Sequence, residues 1–264
     1  MTRVGFVGAG RMGAPMVRRL AEAGHDVRAL GRTDEKRAAV RDLGATAVTE
    51  PTAVADGADV VIVCVFTDEQ VQQVCLGDGL VSAMPPGAGL VIHTTGSPRT
   101  ARAIAEQFGG LDVLDAPVSG GPLNIAAGEV TLFVGGPDEA VARVRPVLAC
   151  YGEPILHVGA LGAGQAVKLI NNSLFAAQIG LLRAAVDLGA RLGVDEAQLL
   201  AAVPHGSGAS RVGEFISARG SVAGFVADIG EFIGKDVDVV RKTAAELGSH
   251  LGLLDDVIDA GIRP

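Results

Sequence analysis

Short, wholly apolar runs bounded by glycine alternate with amphipathic stretches over the first part of the chain. Val4-Gly5-Phe6-Val7 reads as a buried strand, Met12 to Ala23 as a helix, Asp26 to Leu30 as a second strand and Asp34 to Leu43 as a second helix. Ala58 to Phe66, with its Val-Val-Ile-Val centre, and the runs Gly89 to His93 and Leu111 to Asp115 have the character of parallel strands covered on both faces. This alternation predicts an α/β fold built on a doubly wound parallel sheet. From Gln165 onward the texture changes to Ala, Leu, Gln, Asp and Arg with apolar residues at three- and four-residue spacing, so the second part is read as all-helical. A long helix is expected from about Gln165 to Leu192, with Gly193 as its C-cap and Asp195 opening the next helix, and Pro204 to Gly213 is read as a loop. The expected division, at the glycines Gly162 to Gly164, gives domains over 1–163 and 164–264.

Composition narrows this picture without changing it. The 37 glycines fall singly or in pairs between apolar runs, as turns do. A formal charge of −8 leaves no basic field for nucleic acid or an anionic membrane, so an anionic ligand must be held by local groups. No uninterrupted apolar run reaches the ~18 to 20 residues of a bilayer span, and Val4 to Val7 runs into glycine instead of a signal-peptide core; no membrane helix and a cytoplasmic location are expected. Cys64, Cys75 and Cys150 lack paired or metal-ligand spacing and His25, His93, His157, His205 and His250 are scattered, so reduced thiols and no metal are expected.

Candidate chemistry begins at Gly8-Ala9-Gly10-Arg11-Met12-Gly13. Its G-x-G-x-x-G spacing follows an apolar strand, opens a helix and leads to a second strand, the unit in which a helix N-terminus receives a pyrophosphate. The second strand ends in Gly31-Arg32-Thr33, without the acid that would accept hydrogen bonds from a ribose diol. A guanidinium and a hydroxyl there favour a ribose phosphate, so NADP is the preferred cofactor with NAD possible; nearby Asp34 is a competing partner for Arg32.

Two further segments bear on the reaction. Ser119-Gly120-Gly121 follows a strand end, where successive glycine N–H groups and a hydroxyl suit a substrate carboxylate. In Gly162 to Asn172, Lys168 and Asn172 stand four apart on one helical face with Asn171 on the flank, among apolar neighbours. Lys168 is the candidate general acid and base: its ammonium protonates a carbonyl oxygen in reduction, and its neutral amine, favoured by desolvation, takes the hydroxyl proton in oxidation. Asn172 would hold the hydroxyl or orient the lysine.

With these blocks in place, Gly5 to Met16, Asp115 to Gly121, Gly162 to Asn172 and Gly234-Lys235-Asp236, the chain resembles the β-hydroxyacid dehydrogenases, the group containing 3-hydroxyisobutyrate dehydrogenase and semialdehyde reductases. The resemblance implies a Rossmann-type domain followed by a helical domain, with a small carboxylate substrate and the nicotinamide between them, and a homodimer or higher homo-oligomer. It places Lys168 on the family's catalytic lysine, Asn172 on its partner amide, and Ser119, Gly120 and Gly121 on the carboxylate loop. It also places Thr95 near the nicotinamide, Lys235 as a lysine closing over cofactor and substrate with Phe232 beside it, and Val65 and Phe66 along the cofactor. Ile92 and Ala184 depart from residues usual in the family, an acid and a glutamate. Relatives normally continue beyond Pro264 through further helices, so the expectation is that a partner subunit covers the missing surface or that the isolated chain is unusually unstable. The expected reaction interconverts a short β-hydroxyacid and its semialdehyde. A phosphorylated acid such as 6-phosphogluconate is disfavoured by the lack of an arginine cluster near Ser119 or Lys168. The alternatives are an imine reductase, which typically lacks lysine at position 168, and a non-catalytic NADP-binding module.

Overall fold

The computed structural model describes residues 1–262, and the chain divides into two compact units, Met1–Lys168 and a second beginning at Leu169. In the first, β1 (Arg3–Val7) leads through a glycine turn to α1 (Gly13–Glu22), then β2 (Asp26–Leu30), α2 (Asp34–Asp42), β3 (Thr46–Val48), α3 (Pro51–Ala55), β4 (Val60–Val63) and α4 (Asp68–Gln72). A π turn at Gln73–Gly77 and a 3-10 turn at Val81–Ala83 precede β5 (Gly89–Ile92), α5 (Pro98–Gln107), β6 (Asp112–Asp115) and β7 (Val118–Ser119). The unit continues with α6 (Pro122–Ala127), β8 (Val130–Gly135), α7 (Asp138–Leu148) and β9 (Gly152–Gly159).

The sheet order is β3-β2-β1-β4-β5-β6-β8-β7 with β9 on β8, and every pair from β3 to β6 is parallel. Strand order reverses at β1, which lies between β2 and β4, so the carboxyl ends there form the switch point where such sheets take ligands. One edge departs from the parallel pattern read in the sequence: β6 and β7 both pair antiparallel with β8. The connection from Ser119 to Val130 holds only the short α6, too little chain for a parallel crossover. Alternate strand residues feed two cores, Phe6, Ile62, Val91 and Leu114 on one face and Val7, Val61, Val63, Leu90 and Val113 on the other. That two-sided burial is why these strands carry no polar alternation.

Under the strand ends lies a buried polar pair. His93 donates through Nδ1–H to the Ala116 carbonyl at 2.5 Å, and its Nε2 accepts from the Tyr151 hydroxyl at 2.8 Å. Burial pushes the imidazole pKa down from 6.5 to about 4. The unfolded chain therefore takes up a proton below about pH 6.5 that the folded unit refuses until about pH 4, and stability falls across that window as pH falls. Between pH 7 and 5 this single group should remove about 2 kcal/mol. Urea titrations at both pH values, wild type against His93→Asn, should show a smaller pH dependence in the variant; equal slopes would refute it.

The second unit is built on α8 (Ala163–Arg191), whose first residues belong to the first unit, followed by α9 (Glu196–Ala202), α10 (Arg211–Arg219), α11 (Val222–Glu246) and α12 (Leu253–Ile262). Gly193 has φ +80° just after α8, and Asp195 is the N-cap of α9. The loop expected over Pro204 to Gly213 ends early: Ser210 Oγ accepts the Gly213 N–H at 3.0 Å and starts α10 at Arg211. Helices α8 and α12 approach so closely that a Cβ on Gly180 would strike the Val257 carbonyl, and one on Gly261 would meet Gly180 Cα at 2.7 Å. Ile179, Leu182, Leu200, Val212 and Ile216 fill one core of this unit, and Ala176, Ala177, Val237 and Ile258 a second.

Ile170, Leu174, Leu181 and Leu188 form an exposed apolar stripe along α8. Among the described residues α8 alone is long and apolar enough to cross a membrane by length and composition, which is weak evidence for a span. Counting uninterrupted runs overlooked it because Lys168, Asn171 and Asn172 break the run without raising its polarity much; a core helix passes the same test.

Candidate functional site

The turn after β1 has the shape its glycines predict. Gly8 sits at φ +100°, where a side chain would also collide with the Cys64 carbonyl at the end of β4. Gly13 lies equally close to the Gly8 carbonyl, whereas a Cβ on Gly10 would meet nothing within 4 Å. No side chain caps α1, whose N-cap is Met12, and its first turn holds no acid. An uncapped helix start with open space before Gly10 fits a cofactor pyrophosphate, which the backbone of Gly8 through Gly13, including Ala9 and Arg11, would hold.

At the tip of β2 the outcome differs from expectation. Arg32 is not paired with Asp34: its guanidinium, still more than half exposed, meets Asp78 Oδ2 at 2.5 Å. Asp34 is bonded by Arg37 instead, and Arg37 also donates to the Gly31 carbonyl at 3.1 Å. The Thr33 hydroxyl accepts the Lys36 N–H at 3.2 Å as the N-cap of α2. Its first task is therefore capping, although its O–H can still donate.

The carboxyl ends of β4, β5 and β6 are tied together. Thr94 Oγ1 accepts from the Val65 N–H and donates to the Val65 carbonyl, both at 3.0 Å, while the Phe66 N–H bonds Gln70 Oε1 at 2.9 Å. Phe66 is exposed and Thr95 half-buried. The loop carrying Thr95 is gripped from two sides. Asp68 accepts from the Ser97 N–H at 3.2 Å and the Thr100 hydroxyl at 2.5 Å, burial raising its pKa against these bonds. Gln165 accepts the Gly96 N–H at 3.0 Å and donates to the Thr94 carbonyl at 2.7 Å.

Gln165 belongs to the first turn of α8, and that turn is held by Asp115 at the end of β6. The buried carboxylate accepts the N–H groups of Gly162 and Gln165, each at 2.6 Å. Burial raises its pKa, while these N–H groups and Arg102 oppose the rise. Lys168 follows Gln165 by one turn and is half-buried. Asp115, Gln165, Asp68 and Asp78 were given no role by sequence reasoning. A signal for Asp115 did exist: α8 opens with Gly162-Ala163-Gly164, which offers no side-chain cap, so its N–H groups need an acceptor from elsewhere.

The Ser119 loop is partly committed. Gly120 has φ +130°, but the Gly121 N–H donates to Asn124 Oδ1 at 2.9 Å. The cradle expected of two glycine N–H groups is thus reduced to the Ser119 hydroxyl and the Gly120 N–H while Asn124 keeps this position. In the second unit, buried Asn172 donates to Asp236 Oδ2, Asn171 donates to Asn172 Oδ1 at 3.1 Å, and Lys235 Nζ lies 2.9 Å from Asp236 Oδ1. Asp236 fixes which way the Asn172 amide faces, a role the sequence did not reveal. Phe232 is exposed on α11. Cys64 and Cys75 are pushed up to about 12 by burial, which keeps both as thiols. A cavity of about 600 Å³ between Leu111, Gly136, His157 and Leu161 holds none of these groups.

Comparison with known proteins yields two family models end to end. Residues 3–159 match the NAD binding domain of 6-phosphogluconate dehydrogenase, and residues 162–259 match the NAD-binding domain of NADP-dependent 3-hydroxyisobutyrate dehydrogenase. The chain is 38% identical over 211 residues to a 3-hydroxyisobutyrate dehydrogenase of Pseudomonas aeruginosa, spanning 79% of this chain and 71% of that protein. An NAD-dependent L-serine dehydrogenase of the same organism is 39% identical, over 77% and 69% of the two chains. Among solved structures, the 3-hydroxyisobutyrate dehydrogenase of Mycobacterium tuberculosis with L-serine superposes with a TM-score of 0.88 at 29% identity, covering 98% of this chain and 92% of that one.

Proposed function

The chain belongs to the β-hydroxyacid dehydrogenase family and is an NAD(P)-dependent hydroxyacid dehydrogenase, and from that premise we propose that it interconverts a short β-hydroxyacid and its semialdehyde with Lys168 as general acid and base. The observation that carries this reading is the anchoring of α8: Asp115 and Gln165 fasten its first turn to the ends of β5 and β6, so Lys168, one turn on, projects from a fixed start. A fixed start is what an acid-base group needs, because misplacement by about 1 Å can lower a rate a hundredfold.

The nicotinamide, when bound, supplies or accepts the hydride. The residues of this chain bind, orient and move the proton. Gly8 to Gly13 hold the pyrophosphate, and Val65, Phe66 and Thr95 lie on the loops at the ends of β4 and β5 where the rest of the cofactor would run. Lys168 donates a proton from Nζ to the carbonyl oxygen in reduction and removes it in oxidation. Asn172, its amide oriented by Asp236, hydrogen-bonds the same oxygen or the lysine. Ser119 and the Gly120 N–H take the carboxylate, and on α11 Lys235 lies beside Asp236, the residue that orients Asn172.

Substrate class follows from shared chemistry. The compounds in the relatives' names, 3-hydroxyisobutyrate and L-serine, both carry a carboxylate and a primary alcohol on the β-carbon. The L-serine dehydrogenase is NAD-dependent and the family model over residues 162–259 is that of an NADP-dependent enzyme, so preference for NADP rests here on Arg32 and Thr33. The test is parallel oxidation of NADPH and NADH with methylmalonate, tartronate and succinic semialdehydes and glyoxylate, and the reverse reaction with 3-hydroxyisobutyrate and L-serine. Turnover of a β-semialdehyde at higher kcat/KM with NADPH is expected. Failure of every β-semialdehyde would overturn the substrate class, and a preference for NADH would overturn the cofactor assignment.

A further inference from the structure

Arg32 is assigned above to the ribose phosphate of NADP, yet in the folded chain a carboxylate already occupies it. Asp78 Oδ2 lies 2.5 Å from Arg32 Nη2, and Asp78 Oδ1 accepts from Gln73 Nε2 at 2.7 Å. The Asp78 N–H also donates to the Gln73 carbonyl at 2.7 Å, so one glutamine holds both the backbone and the side chain of Asp78. Gly77 makes room for this: a Cβ there would stand 2.6 Å from Gln73 Nε2.

The two partners come from different connections. Arg32 is at the carboxyl end of β2, and Asp78 ends the π turn that follows β4 and α4, so the ion pair links connections from the two strands flanking β1 and its glycine turn. That is the side on which a dinucleotide's adenosine lies in such sheets. The pair adds little to stability, because the arginine side chain is 57% exposed and water screens the attraction. Its consequence is for the ligand. A ribose 2′-phosphate must share the guanidinium with Asp78 or displace it, beside a second negative charge, whereas a ribose hydroxyl meets no such competition.

We propose that Asp78 is a cofactor-specificity residue: it competes with the 2′-phosphate for Arg32 and so limits the preference for NADP over NAD. This rests on the reading of Arg32 as the phosphate ligand, and the experiment separates the two. Dissociation constants of NADPH and NADH are measured by nicotinamide fluorescence, without substrate, for wild type, Asp78→Asn, Arg32→Ala, the double variant and Gln73→Ala, with thermal melts as a check on folding. Asp78→Asn should shift the NADPH/NADH affinity ratio toward NADPH by about tenfold, the size of one charge-assisted hydrogen bond regained. Gln73→Ala should shift it the same way by less, because Asp78 is then loosened but present. In the Arg32→Ala background, Asp78→Asn should lose most of its effect.

An unchanged ratio in Asp78→Asn, with Arg32→Ala still lowering it, overturns the role of Asp78 and leaves the phosphate assignment standing. No effect of Arg32→Ala overturns the phosphate assignment, and the role of Asp78 falls with it. An equal effect of Asp78→Asn with and without Arg32 also overturns the competition, since the carboxylate would then act on the cofactor directly.

Discussion

Lys168→Ala should lower kcat by about a thousandfold in both directions while NADPH still binds, within the range by which a positioned proton donor or acceptor accelerates a reaction. The residue sits between Val167 and Leu169 and one turn beyond a helix start whose N–H groups are held by Asp115. The glycine turn assigned to the pyrophosphate lies at the other end of the unit's sequence, so cofactor affinity is expected to hold while kcat falls. Arginine separates charge from proton transfer. Lys168→Arg keeps a cation but one that stays protonated at any working pH, so it should orient a carbonyl without ever accepting the hydroxyl proton. Oxidation should remain as low in the arginine variant as in the alanine variant. The rise of the oxidation rate with pH, which reports deprotonation of the base, should disappear in both. Retention of more than a tenth of wild-type kcat by Lys168→Ala would refute the assignment.

The parts of this molecule that could be read from sequence are those whose physics is local. β4 and β5 are buried on both faces and continuously apolar, β1 and β6 have apolar centres buried on both faces, and α8 declares itself by its period and by Gly193 after it. The glycine turn is legible because strand, turn and helix adjoin in sequence. β3 escaped because it has only three residues, and β9 because Glu153, Pro154 and His157 interrupt its apolar pattern. The antiparallel return of β8 depends on the length of a connection, not on the strand's own composition. At the site, Lys168 and Asn172 could be paired by helical spacing, whereas the groups that fix them could not. Asp236 lies 64 residues from Asn172, Asp78 lies 46 from Arg32, and Asp115 lies 50 from Gln165. A carboxylate shows what it does only when folding brings its donor to it, and for each of these three the donor comes from a different element.

Asp115 offers the larger stability effect of the remaining side chains. Its two oxygens accept separate N–H groups at 2.6 Å, in a position with no solvent access to replace them. Asparagine has nearly the same shape but offers one oxygen and one NH2, so whichever way it turns, a donor faces a donor. Loss of one charge-assisted bond and the stranding of an N–H at an uncapped helix start should cost about 3 kcal/mol. For a unit of this size that lowers Tm by about 6 to 12 °C. The catalytic consequence distinguishes positioning from mere support. If the Asp115 bonds set where Lys168 stands, Asp115→Asn assayed well below its Tm should still lose kcat by about tenfold, with the KM for NADPH little changed. A variant that melts earlier yet keeps full kcat when folded would assign Asp115 to stability alone, and the anchoring of α8 would then cease to be a reason to place the acid-base group at Lys168.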